Sequence, residues 1–166
     1  MFDAHTAAEF KTRDIEATMA TMSETPHVTH VPTMTGGFGR DAVRHFYDTW
    51  FIGHWPEDTV ITPISRTIGE SQVVDEVLIR FTHDCDMPAL LPGVEPTGRK
   101  VTIAFVVVVG FDQMGRIEFE RIYWDQASML VQLGLIDPAK VPVSGAEQAA
   151  RLMDPRLPSN TLVPKR

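Results

Sequence analysis

Glu120, Asp125, Asp75, His30 and His83 are the side chains of this sequence whose types and settings fit proton-transfer chemistry. Two of them fall in the segment GRIEFERIYWDQASMLVQLG (115–134), which reads as a strand running straight into an amphipathic helix. Strands are poor in Glu, yet this one interleaves Glu118, Glu120, Arg121, Tyr123 and Trp124 with apolar Ile117, Phe119 and Ile122. Alternation puts Glu118, Glu120, Ile122 and Trp124 on one face and Phe119, Arg121, Tyr123 and Asp125 on the other. A carboxylate buried on such a wall is a general base for a carbon acid next to a carbonyl, because desolvation lifts its pKa toward neutrality. Asp125 fits that role, and it fits equally the N-cap of the helix that begins at Gln126. Glu120 fits it too, with an exposed charge paired to Lys or Arg as the alternative.

His83 ends the strand VVDEVLIRFTH, in which Val73, Asp75, Val77, Ile79, Phe81 and His83 share a face. The apolar members make that face buried, so Asp75 and His83 need polar partners. His30 sits on a short strand, His27 to Val31. Either histidine is a proton shuttle beside a carboxylate or a hydrogen-bonded core residue. Glu76 and Arg80 lie on the opposite face, as a surface pair. His30, His83 and Glu120 would make a sensible zinc or iron set. No spacing demands one, and the expectation is no metal and no organic cofactor. Cys85, two residues from His83, lacks a third member for nucleophilic catalysis. Gly36-Gly37-Phe38-Gly39 lacks the Lys-Ser/Thr of a phosphate loop and reads as a turn before a helix. Trp124, Tyr123, Tyr47, Trp50, Phe46, Met19 and Phe81 are the expected lining for a ring-shaped ligand, with Met22, Met34 and Trp55 nearby in type. Core packing is the other use for all of them.

These side chains need elements to hold them. The pattern predicts helix over 3–22, with Asp14 as an N-cap that restarts it, and Pro26 as its end. A helix follows the Gly-rich turn, with Val43, Phe46, Tyr47, Trp50 and Phe51 at helical spacing. Strands are expected at 58–65, 73–82, 101–111 and 116–124, a proline-rich loop at 86–98, a hairpin turn at 112–115, and helices at 126–134 and 146–153. Helices followed by a run of strands indicate an α+β domain. The expected arrangement is a curved antiparallel sheet with the N-terminal helices over its concave side.

The length of 166 residues fits one domain, here 1–137, with 138–166 as a C-terminal extension packing on the domain or on a partner subunit. Apolar content of 43% and charged content of 22% are globular values. A net charge of -7 argues against nucleic acid or anionic membrane as the main partner. The lone Cys85 excludes a disulfide framework and fits a reducing compartment. MFDAHTAAEF has no basic region followed by an apolar run, and Val101 to Phe111 is too short to span a bilayer. A soluble cytoplasmic protein is the expectation.

The element order and several motifs resemble the nuclear transport factor 2-like superfamily and, within it, the SnoaL-like polyketide cyclases. The matching pieces are Val28 and His30, Gly39-Arg40-Asp41-Ala42-Val43 with Phe46-Tyr47, Leu91-Pro92-Gly93-Val94 with Pro96-Thr97-Gly98-Arg99, Gly115-Arg116-Ile117, Tyr123-Trp124-Asp125, and Gln132-Leu133-Gly134. A subgroup with VPTMTGG, VVDE, FTH and ERIYWDQA is named near carboxymethylenebutenolidases, whose Cys-His-Asp site and strand-turn-helix elbow this sequence lacks. The resemblance implies a cone-shaped α+β barrel, a homodimer through the open sheet face, and an apolar pocket. It implies cofactor-independent acid-base chemistry on a small cyclic or aromatic carbonyl compound: isomerisation, cyclisation, lyase chemistry or hydration. Such relatives often carry His or Asp two or three residues before the terminal Asp. Ile122 stands there, so Glu120, one step up the strand on the same face, or Asp125 takes the role of base, with His30 or His83 as donor. The alternatives are a non-catalytic ligand-binding module of the same fold and a metal-dependent lyase or oxygenase.

Overall fold

Asp14 sets the first turn of chain direction. In the computed structural model, which describes residues 1–164, its carboxylate accepts the Ala17 N–H at 3.0 Å and starts helix α2 (Ile15–Ala20). Arg13, just before it, takes a left-handed conformation with φ 53°. The expected 3–22 helix is therefore two helices. The first, α1 (Phe2–Ala7), widens into a π-turn over Ala8–Thr12. Helix α3 (Arg40–Phe46) does the same over Tyr47–Phe51. The wider turn shifts which side chains share a face, and both turns border the candidate site.

Six strands follow the order β2-β1-β6-β5-β4-β3. They are β1 (Met22–His30), β2 (Thr35–Phe38), β3 (Val60–Ile68), β4 (Gln72–Thr82), β5 (Lys100–Phe111) and β6 (Ile117–Trp124). Two expectations about β1 and β2 fail for one reason, tertiary pairing. Pro26 does not mark a boundary. It lies where the β1–β6 register shifts between Met22 and His27, so its missing N–H breaks no ladder bond, and its carbonyl accepts the Gly39 N–H at 2.7 Å. The Gly-rich segment is a strand, because its glycines let two backbones touch. A Cβ on Gly36 (φ 136°) would lie 2.0 Å from the Val28 carbonyl oxygen. Gly36→Ala is expected to destabilise the protein by about 1–3 kcal/mol through overpacking and strain. Urea unfolding of the variant measures this, and a midpoint equal to the parent's would refute it.

The sheet is mixed and open. β1 runs parallel to β6 and every other pair is antiparallel. The α+β class and the curved sheet are as expected, while the all-antiparallel pairing and the barrel are corrected: a parallel neighbour needs a long crossover, here residues 31–116, and the sheet keeps two free edges. Cross-strand rows then fix the concave face. One row runs Val73–Val109–Glu120–Val28, and the next runs Asp75–Val107–Ile122–His30. α1 and α3 cover these rows.

Beyond β6, helix α4 (Gln126–Gln132) carries Gln132, whose side chain accepts from Thr102 N at 2.8 Å and donates to Thr102 O at 3.1 Å. It stands in for a strand where β6 has ended. A short helical turn (Pro138–Lys140) leads to α5 (Glu147–Met153), which buries Ala149 against the domain. The Ser128 hydroxyl donates to Gly145 O at 2.9 Å beside it. No helix among the described residues is long and apolar enough to cross a membrane.

Candidate active site

Between α1, α3 and the concave face lies a cavity of about 370 Å³. Its walls are mostly aromatic and aliphatic: Phe10, Phe46, Phe51, Trp55, Phe105 and Ile122. Rings meet edge to face, as between Phe10 and Trp55 at 5.2 Å. Water has little to bind there, so the few polar groups dominate.

The central cluster joins four segments of chain. Tyr47 donates to Glu120 Oε2 at 2.6 Å, and His5 Nε2 lies 3.2 Å from the Tyr47 hydroxyl oxygen. The same His5 nitrogen is 3.2 Å from Glu9 Oε1 and 3.3 Å from Glu120 Oε2. His5 and Glu9 are neighbours because they are four residues apart on one helical face. On the other side of the ring, His5 Nδ1 lies 2.7 Å from Thr21 Oγ1, and that hydroxyl donates its own proton to Thr18 O at 2.7 Å. Thr21 can therefore only accept from Nδ1–H. The result is a directed chain from His5 Nε2–H to Tyr47 and on to Glu120.

Charge follows from this geometry. Burial disfavours a charged His5, but two carboxylates within 3.3 Å outweigh it and raise its pKa from 6.5 to about 11. Burial also raises Glu9, and the neighbouring Glu120 charge adds to the effect. Burial pushes Glu120 the same way, but His5 and the Tyr47 hydroxyl reverse it and hold Glu120 low and ionised. Burial and the two carboxylates keep Tyr47 protonated. Two carboxyl groups on one imidazolium are thus driven apart, which is how one site obtains an acid and a base.

His30 lines the same cavity. Burial lowers its pKa to about 4, against the pull of Glu120, so the ring is neutral. Asp75 also lines it, but Arg66 grips both its oxygens at 2.6 and 2.7 Å and reaches Asp3 at 2.8 Å. Asp75 is a held counter-charge and not a free base.

The other expected site residues go elsewhere. Asp125 caps α4, accepting from Ser128 N at 3.0 Å, and faces away from the cavity. Alternation predicts this, since Asp125 falls on the face opposite Glu120. His83 is buried outside the cavity, with Nδ1 accepting from Thr97 N at 3.3 Å and Nε2 unpaired among the described residues. It is too far round the fold to join a metal set with His30 and Glu120. Tyr47 and Phe46 line the cavity as expected. Trp124 stacks on Phe105 at 5.1 Å and supports His30 from behind. Met19 and Phe81 are core residues, while Trp50 and Tyr123 are exposed at 38% and 42%, Tyr123 on the outer face. The ligating atoms of His5, Glu9 and Glu120 lie within 4.8 Å of one another, a spacing a small cation would accept. The imidazolium already supplies a positive charge there.

His5 and Glu9 are absent from the sequence reading. Their signal is a His and a Glu four apart on a helix, in line with Phe2 (i, i+3, i+7). Attention to the apolar positions Ala7, Ala8 and Phe10 hides it.

The family described as SnoaL-like polyketide cyclase matches residues 4–133. No curated protein sequence matches the chain. Among solved structures, an NTF2-like protein of unknown function from Burkholderia pseudomallei superposes with a TM-score of 0.60 and 20% identity, over 80% of this chain and 93% of that one. A protein with a ketosteroid isomerase-like fold from Catenulispora acidiphila, in complex with trimethylamine, gives 0.61 and 13%, over 81% and 92%. TerC, co-crystallised with polyporic acid, gives 0.59 and 14%, over 80% and 95%. These likenesses establish the fold.

Proposed function

Because this chain belongs to the SnoaL-like polyketide cyclase family, we propose that it carries out cofactor-independent acid-base chemistry on a small cyclic or aromatic carbonyl compound. The observation that carries the reading is the pair of buried carboxyl groups, Glu9 raised and Glu120 lowered, facing one apolar cavity. Glu120 takes a proton from the carbon next to the carbonyl, and the C–H electron pair moves to the carbonyl oxygen. Protonated Glu9 donates to that oxygen as charge develops, with enclosure in the cavity strengthening the bond. Isomerisation follows if Glu120 returns the proton to another carbon, and cyclisation if the enol carbon attacks a second carbonyl of the same molecule, whose oxygen takes the proton from Glu120; in both, the first carbonyl re-forms and its oxygen gives the proton back to Glu9. His5 and Tyr47 keep Glu120 charged and aimed. The donor role passes from His30 and His83 to Glu9, since the one ring proton of neutral His30 sits on Nδ1, against a Thr35 hydroxyl that already donates to Ala89 O, and His83 does not reach the cavity.

Small molecules bound to TerC and to the Catenulispora protein support a ligand-holding cavity in this fold. The outer face of the open sheet, with Tyr123 exposed, is where we place a homodimer contact, which light scattering would test.

The test is exchange of the α-protons of β-tetralone into deuterium oxide, followed by NMR. Exchange well above the buffer rate supports the reading, and none would favour a non-catalytic binding module. Asp125→Ala serves as the control. It should lose about 0.5–2 kcal/mol of stability with the cap and keep the parent's exchange rate. A rate loss matching that of a Glu120 variant would return Asp125 to the chemistry.

A further inference from the structure

Apart from the carboxyl groups of Glu9 and Glu120, the polar side chains on the cavity wall near the sheet are already committed to one another, with one exception. Tyr47 gives its proton to Glu120, and Arg66 gives its own to Asp75 and Asp3. Thr6 donates to backbone carbonyls of its own helix. His30 is the exception. Its ring is wedged among Phe46, Phe51 and Trp124, with centroids at 5.2, 5.3 and 5.7 Å, so its plane is fixed.

Its tautomer is fixed as well. His30 Nδ1 lies 3.2 Å from Thr35 Oγ1, and Thr35 donates its single proton to Ala89 O at 2.8 Å. Thr33 donates to the same carbonyl at 2.9 Å, and a carbonyl only accepts. Thr35 is left to accept, so Nδ1 carries the ring proton. The Nε2 lone pair then has no donor among the described residues, on a side chain 3% exposed that lines the cavity.

We propose that this lone pair is a specificity element, and that the substrate is a hydroxylated ring carbonyl, phenolic or enolic, whose O–H is received by His30. A ligand lacking a donor leaves a buried acceptor unpaired, which selects against it by about 5- to 150-fold. This rests on the acid-base reading only in taking the same cavity as the substrate's place, and it is tested by binding without turnover.

The probes are β-naphthol and its methyl ether, which share the ring system and differ in the donor. Titration followed by tryptophan fluorescence should show naphthol bound about 5- to 150-fold more tightly. In His30→Phe, which keeps an aromatic ring in the wedge, the ratio should fall to near one. Equal binding by the parent, failure of naphthol to bind, or a preference that survives in His30→Phe would each overturn the proposal. The last would show that Glu120 reads the hydroxyl. Nitrogen NMR of the unliganded parent gives a check that needs no variant. A bare Nε2 on His30 is expected, and a protonated one overturns the proposal. If naphthol selectivity holds while β-tetralone exchange is absent, the catalytic reading fails and this one stands.

Discussion

Glu120→Gln exchanges the α-protons of β-tetralone at least about a hundredfold more slowly than the parent, the usual scale of lost general-base catalysis. The fold survives, because Gln matches Glu in shape and its carbonyl oxygen still accepts from Tyr47. The loss has two parts. The base goes, since an amide does not take up the proton. The acid goes with it, since Glu9 owes part of its raised pKa to the Glu120 charge. Burial still raises Glu9, but without that charge His5 opposes it alone and Glu9 gives up its proton more readily. The pH profile therefore separates the readings: the parent's activity falls as Glu120 is protonated in acid and as Glu9 ionises toward alkali. A variant within about threefold of the parent, with an unchanged circular dichroism spectrum, removes Glu120 from the mechanism.

His5→Gln unfolds more easily than the parent by about 3–5 kcal/mol, the cost of stranding a buried charge by deleting its partner. Glu120 is the charge left stranded, since His5 is what holds it ionised. The pH dependence has a definite sign. His5 is raised in the native state, so its contribution is complete below its unfolded value of 6.5 and drains away as pH climbs toward about 11. Glu9, also raised, acts in the same sense, and its contribution begins to drain above 4.5. Glu120 is lowered, so its contribution is present above 4.5 and lost as pH falls through its native value. Parent stability should peak between roughly pH 5 and 6.5 and decline from pH 7 to 10. Urea unfolding at stepped pH should give a steep decline for the parent and a flatter one for His5→Gln. Equal slopes would mean that His5 is not the charged centre of the cluster.

Both predictions depend on a cluster that local pattern shows only in part. Alternation along β6 places Glu120 on the face that proves buried and Asp125 on the other, and the capping alternative for Asp125 is the one its geometry meets. Alternation along β4 likewise puts Asp75, Val77 and Ile79 on the cavity side. Asp14 restarts the helix as its type and place predict. The failures have one cause. Pro26 and the glycines at 36 and 37 are read from backbone preference, and a neighbouring strand overrules that preference. His5 and Glu9 look like the polar side of a short helix until the sheet is placed beneath them.

The sequence by itself determined the element order, the side of each strand on which a residue falls, and an interior wide in aromatic groups. These follow from periods of two and 3.6 residues, which are local properties of the backbone. Only the tertiary structure decided which carboxyl group keeps its proton and which histidine holds a charge. Those states depend on burial and on distances of about 3 Å between residues 5, 9, 47 and 120, and no spacing along the chain encodes such a distance. Glu120 is held ionised because residue 5 is beside it.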